Sequence, residues 1–302
     1  MATTVIKKGQ PGSKAFFKDS FLMHKLHSLS GVIPIGAFMV FHLVANSYSL
    51  RGETEFNTVV KVIGYLPFVQ VVEIVGIFFP ILFHAIYGFV IVAQAQGPGG
   101  NLAHYGYMRN YLYYLQRWSG VAAFAYIAYH VWSTTGHRWA YEFSGQPEAA
   151  EKAHAVISYM GMAYRFASIG YLLIYIAGIT AAVFHFANGM FNFGIRWGIT
   201  IGAQAQRISA MLWWAVGIGL TVIGCATAIN FHMKGNSFPL MRAGATEPSF
   251  VNLRTEYKSL EELVEKNKDE VMRKTPVEAR PDTNSADDAA GATPATSGAA
   301  EN

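Results

Sequence analysis

Long apolar runs alternate with polar stretches along the whole first three-quarters of this chain. Five runs approach the roughly 20 residues that a helix needs to cross a bilayer. They lie near 29–49, 66–94, 111–136, 163–192 and 206–232. The second and fourth are long enough to run tilted. The pattern predicts an all-α fold, an integral membrane bundle of five transmembrane helices, because helices satisfy their own backbone in lipid. Residues 1–28 are polar and Lys-bearing, with no apolar core of a cleavable signal peptide. Residues 29–232 form the membrane domain and 233–302 an exoplasmic tail. Within the tail, 255–273 has helical periodicity, with Leu260, Leu263, Val264 and Val271 on one stripe. Residues 275–302 are rich in Ala, Pro, Thr, Ser, Gly and Asp and read as disordered.

Four histidines interrupt four different apolar runs. They are His42 (MVFHLVAN), His84 (ILFHAIYG), His130 (IAYHVWST) and His185 (AVFHFANG). An imidazole at membrane depth is rare and marks a partner or a function. Alternating helix direction sorts the four by depth. His42 and His130 each lie about six or seven residues before the outer ends of their spans, roughly 10 Å in. His84 and His185 lie about seven to ten residues before the inner ends of theirs, at roughly 10–15 Å. Depth therefore pairs His42 with His130 near the outer face and His84 with His185 near the inner face.

Two imidazoles make a poor structural zinc site, which needs four ligands. A haem supplies four nitrogens itself and needs only two axial ligands. Two depth-matched pairs thus predict two haems b, with His42 and His130 on the outer iron and His84 and His185 on the inner iron. No CxxCH occurs, so the haems are not attached through thioether bonds. A weak internal echo accompanies them: His84 and His185 are each followed four residues later by glycine, Gly88 and Gly189, on the same helix face. A missing side chain there would leave room for a flat macrocycle.

Composition agrees with a membrane class. The chain has 302 residues, 52% hydrophobic and 14% charged, with a mean hydropathy of +0.24, too apolar for an ordinary soluble domain. The net charge of +4 comes from scattered basic residues and carries no nucleic-acid signal. The single cysteine, Cys225, excludes an internal disulfide. Lys7, Lys8, Lys14, Lys18 and Lys25 hold the N-terminus on the cytoplasmic side, and five spans put the C-terminus outside.

Further candidates lie at the boundaries. His27 and Ser28, with Arg117 and Arg196, fall at the inner boundary, where haem propionates or a partner subunit would reach them. Glu73 is an acid inside the second span, at the depth of His42 and His130. A carboxyl there can carry protons, which suits it as a proton relay for a quinone near the outer haem.

At these residues the sequence resembles the cytochrome b membrane-anchor subunits of succinate dehydrogenase (succinate:quinone oxidoreductase). The likeness is to the single-chain, five-span, two-haem type of Gram-positive bacteria. The matching stretches are LHSLSGVIPIGAFMVFHLVAN, RGETEFN, LPFVQVVEIVGIFFPILFHAIYG, YMRNYLYYLQRWSG, YHVWST, FHFANGMFNFGIRWGIT and QRIS, over about residues 22–232. The tail beyond about 235 departs from the family pattern. The resemblance implies a bacterial cytoplasmic-membrane complex with a flavoprotein subunit holding FAD and an iron–sulfur subunit, both docked on the cytoplasmic side. It implies electron flow through the inner, higher-potential haem to the outer, lower-potential one, and then to menaquinone or another quinone. The quinone species, the direction (succinate oxidation or fumarate reduction) and any oligomer of the complex stay open. A dihaem anchor of another quinone-linked dehydrogenase and a histidine-relay transporter are the alternatives. The motif run disfavours the first, and the lack of a charged central path disfavours the second.

Overall fold

A computed structural model describes residues 20–94, 107–146 and 149–237, and every regular element among them is helical. The Lys-rich residues before 20, the 95–106 connection and the tail helix expected at 255–273 lie outside the described residues.

Five long helices form the bundle. They are α1 (Phe21–Arg51), α3 (Val69–Gln94), α4 (108–142), α7 (Ile169–Arg196) and α8 (Ala203–Ser237). Three short ones, α2 (Glu53–Gly64), α5 (Ala149–Ile157) and α6 (Tyr159–Phe166), cluster at one end. Four of the long helices, all but α4, are long and apolar enough to cross a membrane. Helix α4 is the exception because Tyr, Gln and Arg residues fill its first turns and Arg138 and Glu142 its last.

Several ends differ from the sequence expectation. The first long helix begins near 21 rather than 29, so His27 and Ser28 are helical residues. The fourth begins at Ile169 rather than near 163, because Ser168 caps it, its hydroxyl accepting from Tyr171 N–H at 3.5 Å. Residues 159–166 are a separate helix, capped by Ser158 in the same way. Helix α8 has 35 residues, about 50 Å at the standard rise, and so extends beyond the hydrocarbon. Helix α1 stops at Gly52, whose φ of 130° and ψ of 180° suit only glycine.

Three long helices contain a π-helical turn: Gly31–Gly36 in α1, Val72–Phe78 in α3 and Trp132–Gly136 in α4. Each lies within about two turns of a span histidine, and such turns recur at functional sites. The first encloses Pro34. The second precedes Pro80, whose ring would otherwise press on the carbonyl one turn back.

Helix α7 is the spine. It packs on α8, on α4 and on the π turn of α1. Helix α8 also packs on α6 and on the second half of α1, while the first half of α1 packs on α3. The tightest core lies under the short helices, where Phe56, Tyr159, Met160, Phe166, Tyr171, Tyr175 and Phe231 are buried together. Large apolar side chains remain exposed along the long helices, including Ile33, Val75, Phe79, Leu173 and Ile218. In water such a surface would aggregate; facing lipid it is solvated.

Gly178 marks the closest approach of α7 to α4. A Cβ there would run into the Tyr126 ring, which packs on both His130 and Tyr175. Gly178→Ala should therefore destabilise the bundle by about 1–3 kcal/mol, as overpacked cores do. Thermal unfolding of the detergent-solubilised protein should show a lowered midpoint.

Candidate functional site

The bundle brings its four span histidines together as two facing pairs. The His84 and His185 rings have centroids 6.2 Å apart and an interplanar angle of 89°. The His42 and His130 rings are 5.7 Å apart at 75°. The first pair joins α3 to α7 and the second joins α1 to α4.

The outer nitrogens of three of these rings are already engaged. His84 Nδ1–H donates to the His27 carbonyl at 2.9 Å, and Ser30 Oγ lies 3.4 Å from the same nitrogen. His185 Nδ1–H donates to the Gln116 carbonyl at 3.0 Å, with Ser119 Oγ at 3.4 Å. A carbonyl can only accept, so these two rings carry their proton on Nδ1 and present Nε2 as a bare lone pair. His130 Nδ1 is bonded to the Tyr175 hydroxyl at 2.9 Å. That hydroxyl continues to Tyr171 at 2.6 Å and on to Ser133 at 3.4 Å. His42 differs: Asn46 Nδ2 sits 3.3 Å from its Nε2 and donates to the His42 carbonyl at 2.8 Å. A metal on that nitrogen would displace the Asn46 contact.

The pairs fit an iron with two axial imidazoles. A metal–nitrogen bond of about 2 Å, plus roughly 1.1 Å from nitrogen to ring centre on each side, puts facing centroids ~6 Å apart. Both observed separations match. Among the described residues no group of three or more His, Cys, Asp or Glu is arranged to hold a bare metal ion. Two ligands suffice only where a macrocycle supplies the equatorial set.

The two echo glycines face protein neighbours at contact distance. A Cβ on Gly88 would meet His27 Cε1 at 3.4 Å, and one on Gly189 would meet Gln116 Nε2 at 3.4 Å. Each glycine thus faces the residue whose carbonyl holds the neighbouring imidazole.

His27 stacks flat on His84, with centroids 3.9 Å apart at 14°, and its Nδ1 is buried with no hydrogen-bond partner. Arg196 lies close enough to act electrostatically on His27. Ser28 Oγ accepts from Trp197 Nε1 at 3.1 Å. Arg117 lies over the Tyr113 ring, 4.2 Å from its centroid, and donates to its hydroxyl at 2.5 Å. Arg196 thus lies near the orphaned His27 nitrogen, and Arg117 follows Gln116, whose carbonyl holds His185.

Glu73 has a partner that the sequence reading did not name. Arg138 of α4 bridges to it with both terminal nitrogens, at 3.2 and 2.7 Å, and its Nε is 3.5 Å from Glu142. Also unforeseen were Ser30, Gln116, Ser119, Tyr171 and Tyr175. The repeated Ser-Gly pairs (30–31 and 119–120) and the i,i+4 tyrosines were the available signals.

No protein-family model matches the chain. It is 35% identical over 211 residues to the succinate dehydrogenase cytochrome b558 subunit of Bacillus subtilis (strain 168). That alignment covers 70% of this chain and 96% of the relative.

The Glu73–Arg138 bridge is partly buried, at 22% and 16% side-chain exposure. Removing the arginine strands an acid between α3 and α4. Arg138→Leu should cost less than the about 3–5 kcal/mol of a fully buried broken pair, but enough to lower the thermal midpoint. Arg138→Leu combined with Glu73→Leu should recover most of that loss, which a double-mutant cycle of unfolding midpoints measures.

Proposed function

The chain belongs to the succinate dehydrogenase cytochrome b membrane-anchor family, and from that premise we propose that it relays electrons through two bis-histidine haems to a quinone. The observation that carries this is the pair of facing imidazole couples at iron-spanning distance on four different helices. In this reading one haem b lies between His84 and His185, and the other between His42 and His130. A haem held by two imidazoles passes single electrons without binding substrate at the iron.

The chain's own residues set the conditions for that transfer. Carbonyls of His27 and Gln116 fix the rings of His84 and His185 through Nδ1 and leave their Nε2 lone pairs free to bind. Tyr175 does the same for His130 through its hydroxyl. His27, Arg117 and Arg196 receive the propionates of the haem at the His84–His185 level, with Ser28 beside them. That end faces the cytoplasm and docks the iron–sulfur subunit, which receives electrons from a FAD-bearing flavoprotein. N-terminal lysines keep it there, the C-terminus lies outside, and the membrane is the bacterial cytoplasmic one. Residues 29–232 carry this activity, and 1–28 and 233–302 flank it.

The quinone, menaquinone or another, is reduced near the His42–His130 level. Glu73 is its proton acceptor or relay. Its carboxylate is held by Arg138, and Arg138 already approaches Glu142. As Glu73 takes up a proton, Arg138 shifts its charge toward Glu142, so no cation is left unpaired. The same arrangement supports fumarate reduction run in reverse.

Two measurements test this. The purified complex should yield two protohaems b per copy of this chain by pyridine haemochrome. His84→Ala and His185→Ala should remove one redox component, and His42→Ala and His130→Ala the other. One haem per chain, or loss of the same component from His42→Ala and His84→Ala, overturns the pairing.

Glu73→Gln keeps the shape and removes the titratable proton. It should lower succinate:quinone activity at least tenfold while both haems stay bound. Succinate oxidation by an artificial acceptor at the flavoprotein should be intact. Full quinone reductase activity in this variant rejects the relay.

A further inference from the structure

The rings of His84 and His185 rest in two copies of one cradle. Around His84 the cradle is the carbonyl of His27, the hydroxyl of Ser30 and the bare Cα of Gly31. Around His185 it is the carbonyl of Gln116, the hydroxyl of Ser119 and the bare Cα of Gly120. The spacing is the same in both: carbonyl, serine three residues on, glycine next. Each serine hydroxyl donates to the very carbonyl that its imidazole uses, Ser30 to His27 at 2.9 Å and Ser119 to Gln116 at 3.2 Å. Each glycine is required by the ring: a Cβ on Gly31 would lie 2.5 Å from His84 Cε1, and one on Gly120 2.8 Å from His185 Cε1.

The correspondence extends along both helices. Gly88 faces His27 as Gly189 faces Gln116. His42 follows Gly31 by eleven positions, whereas His130 follows Gly120 by ten. The extra residue coincides with the π turn Gly31–Gly36 of α1, while α4 is α-helical through this stretch. A π turn absorbs one added residue, so His42 regains the face and depth of His130.

We propose that Ser30-Gly31 and Ser119-Gly120 are twin positioning elements that tune the axial imidazoles of the haem held by His84 and His185. The inference rests on the haem reading above. The serine hydroxyl draws electron density from the shared carbonyl and so weakens its pull on the imidazole N–H. Without the hydroxyl the carbonyl pulls harder and the imidazole gains anionic character. A more anionic ligand favours ferric iron and lowers the haem's reduction potential. The glycine sets how close the carbonyl can come. Neither residue touches the iron.

The test is a redox titration of the purified complex, followed by visible absorbance and low-temperature EPR. Wild type must show two haem components, and their absence would reject the haem reading rather than this one. Ser30→Ala and Ser119→Ala should each shift the midpoint of the same component to lower potential and move its low-spin EPR signal. The other component and the haem count should be unchanged. Ser30→Thr and Ser119→Thr, which keep a hydroxyl, should stay near wild type. Gly31→Ala and Gly120→Ala should broaden or remove that same component. Unchanged midpoints in both alanine-for-serine variants, or a shift of the other component, overturns the proposal.

Discussion

The organising constraint is the hydrogen bond that an imidazole must make inside lipid. Helices crossing a membrane have their backbone groups already paired, and no water is present to satisfy an extra N–H. A span histidine is therefore held where a neighbour can share its Nδ1, as three of the four show. For His84 and His185 that neighbour is a helical carbonyl, which has a spare lone pair. For His130 it is a tyrosine hydroxyl on α7. Satisfying Nδ1 this way is what leaves Nε2 directed into the bundle. One bond thus sets ring tautomer, ring orientation and the availability of a ligand.

That requirement dictates where helices must approach closely. A ring can reach a carbonyl on an adjacent helix only if that helix lacks side chains there. Gly31 and Gly120 provide the clearance. The same logic explains the π turns. They widen a helix locally and shift its register by one residue, so a histidine can be brought to the required face without moving the helix axis. The tight aromatic core under α2, α5 and α6 then holds the far ends of α7 and α8 in place. Tyr171 and Tyr175 belong to that core and also to the hydroxyl chain from His130. Packing and ligand orientation are therefore supported by the same side chains at that end.

The long apolar runs and the contacts of His42 with His130 and of His84 with His185 were legible in the sequence. Both depend on counting: run length against bilayer thickness, and residue number against helix direction. What was illegible depends on lateral neighbours. Nothing in one sequence says that Arg138, sixty-five positions away, faces Glu73. Gln116 looked like an ordinary boundary residue, and its importance lies in its backbone carbonyl, which carries no side-chain signal. The late start of α7 was hidden because 159–166 is itself helical and runs almost directly into it. Only the caps Ser158 and Ser168 divide the two. The His-to-Gly echo was visible, and each glycine faces a residue that holds a ring, Gly88 toward His27 and Gly189 toward Gln116.

The two imidazole pairs are built to different rules. The His84–His185 rings lean on backbone carbonyls, strong and fixed acceptors in a helix that cannot rearrange without breaking. The His42–His130 pair leans on side chains, Tyr175 on one ring and Asn46 beside the other. Side-chain partners can rotate as charge changes on the ring, and Tyr175 can either accept or donate. The carbonyl-held rings are therefore fixed by the backbone itself. The fold thus sets side-chain hydroxyls, Tyr175 and through it Tyr171 and Ser133, behind one pair, and backbone carbonyls, each shared with a serine hydroxyl, behind the other.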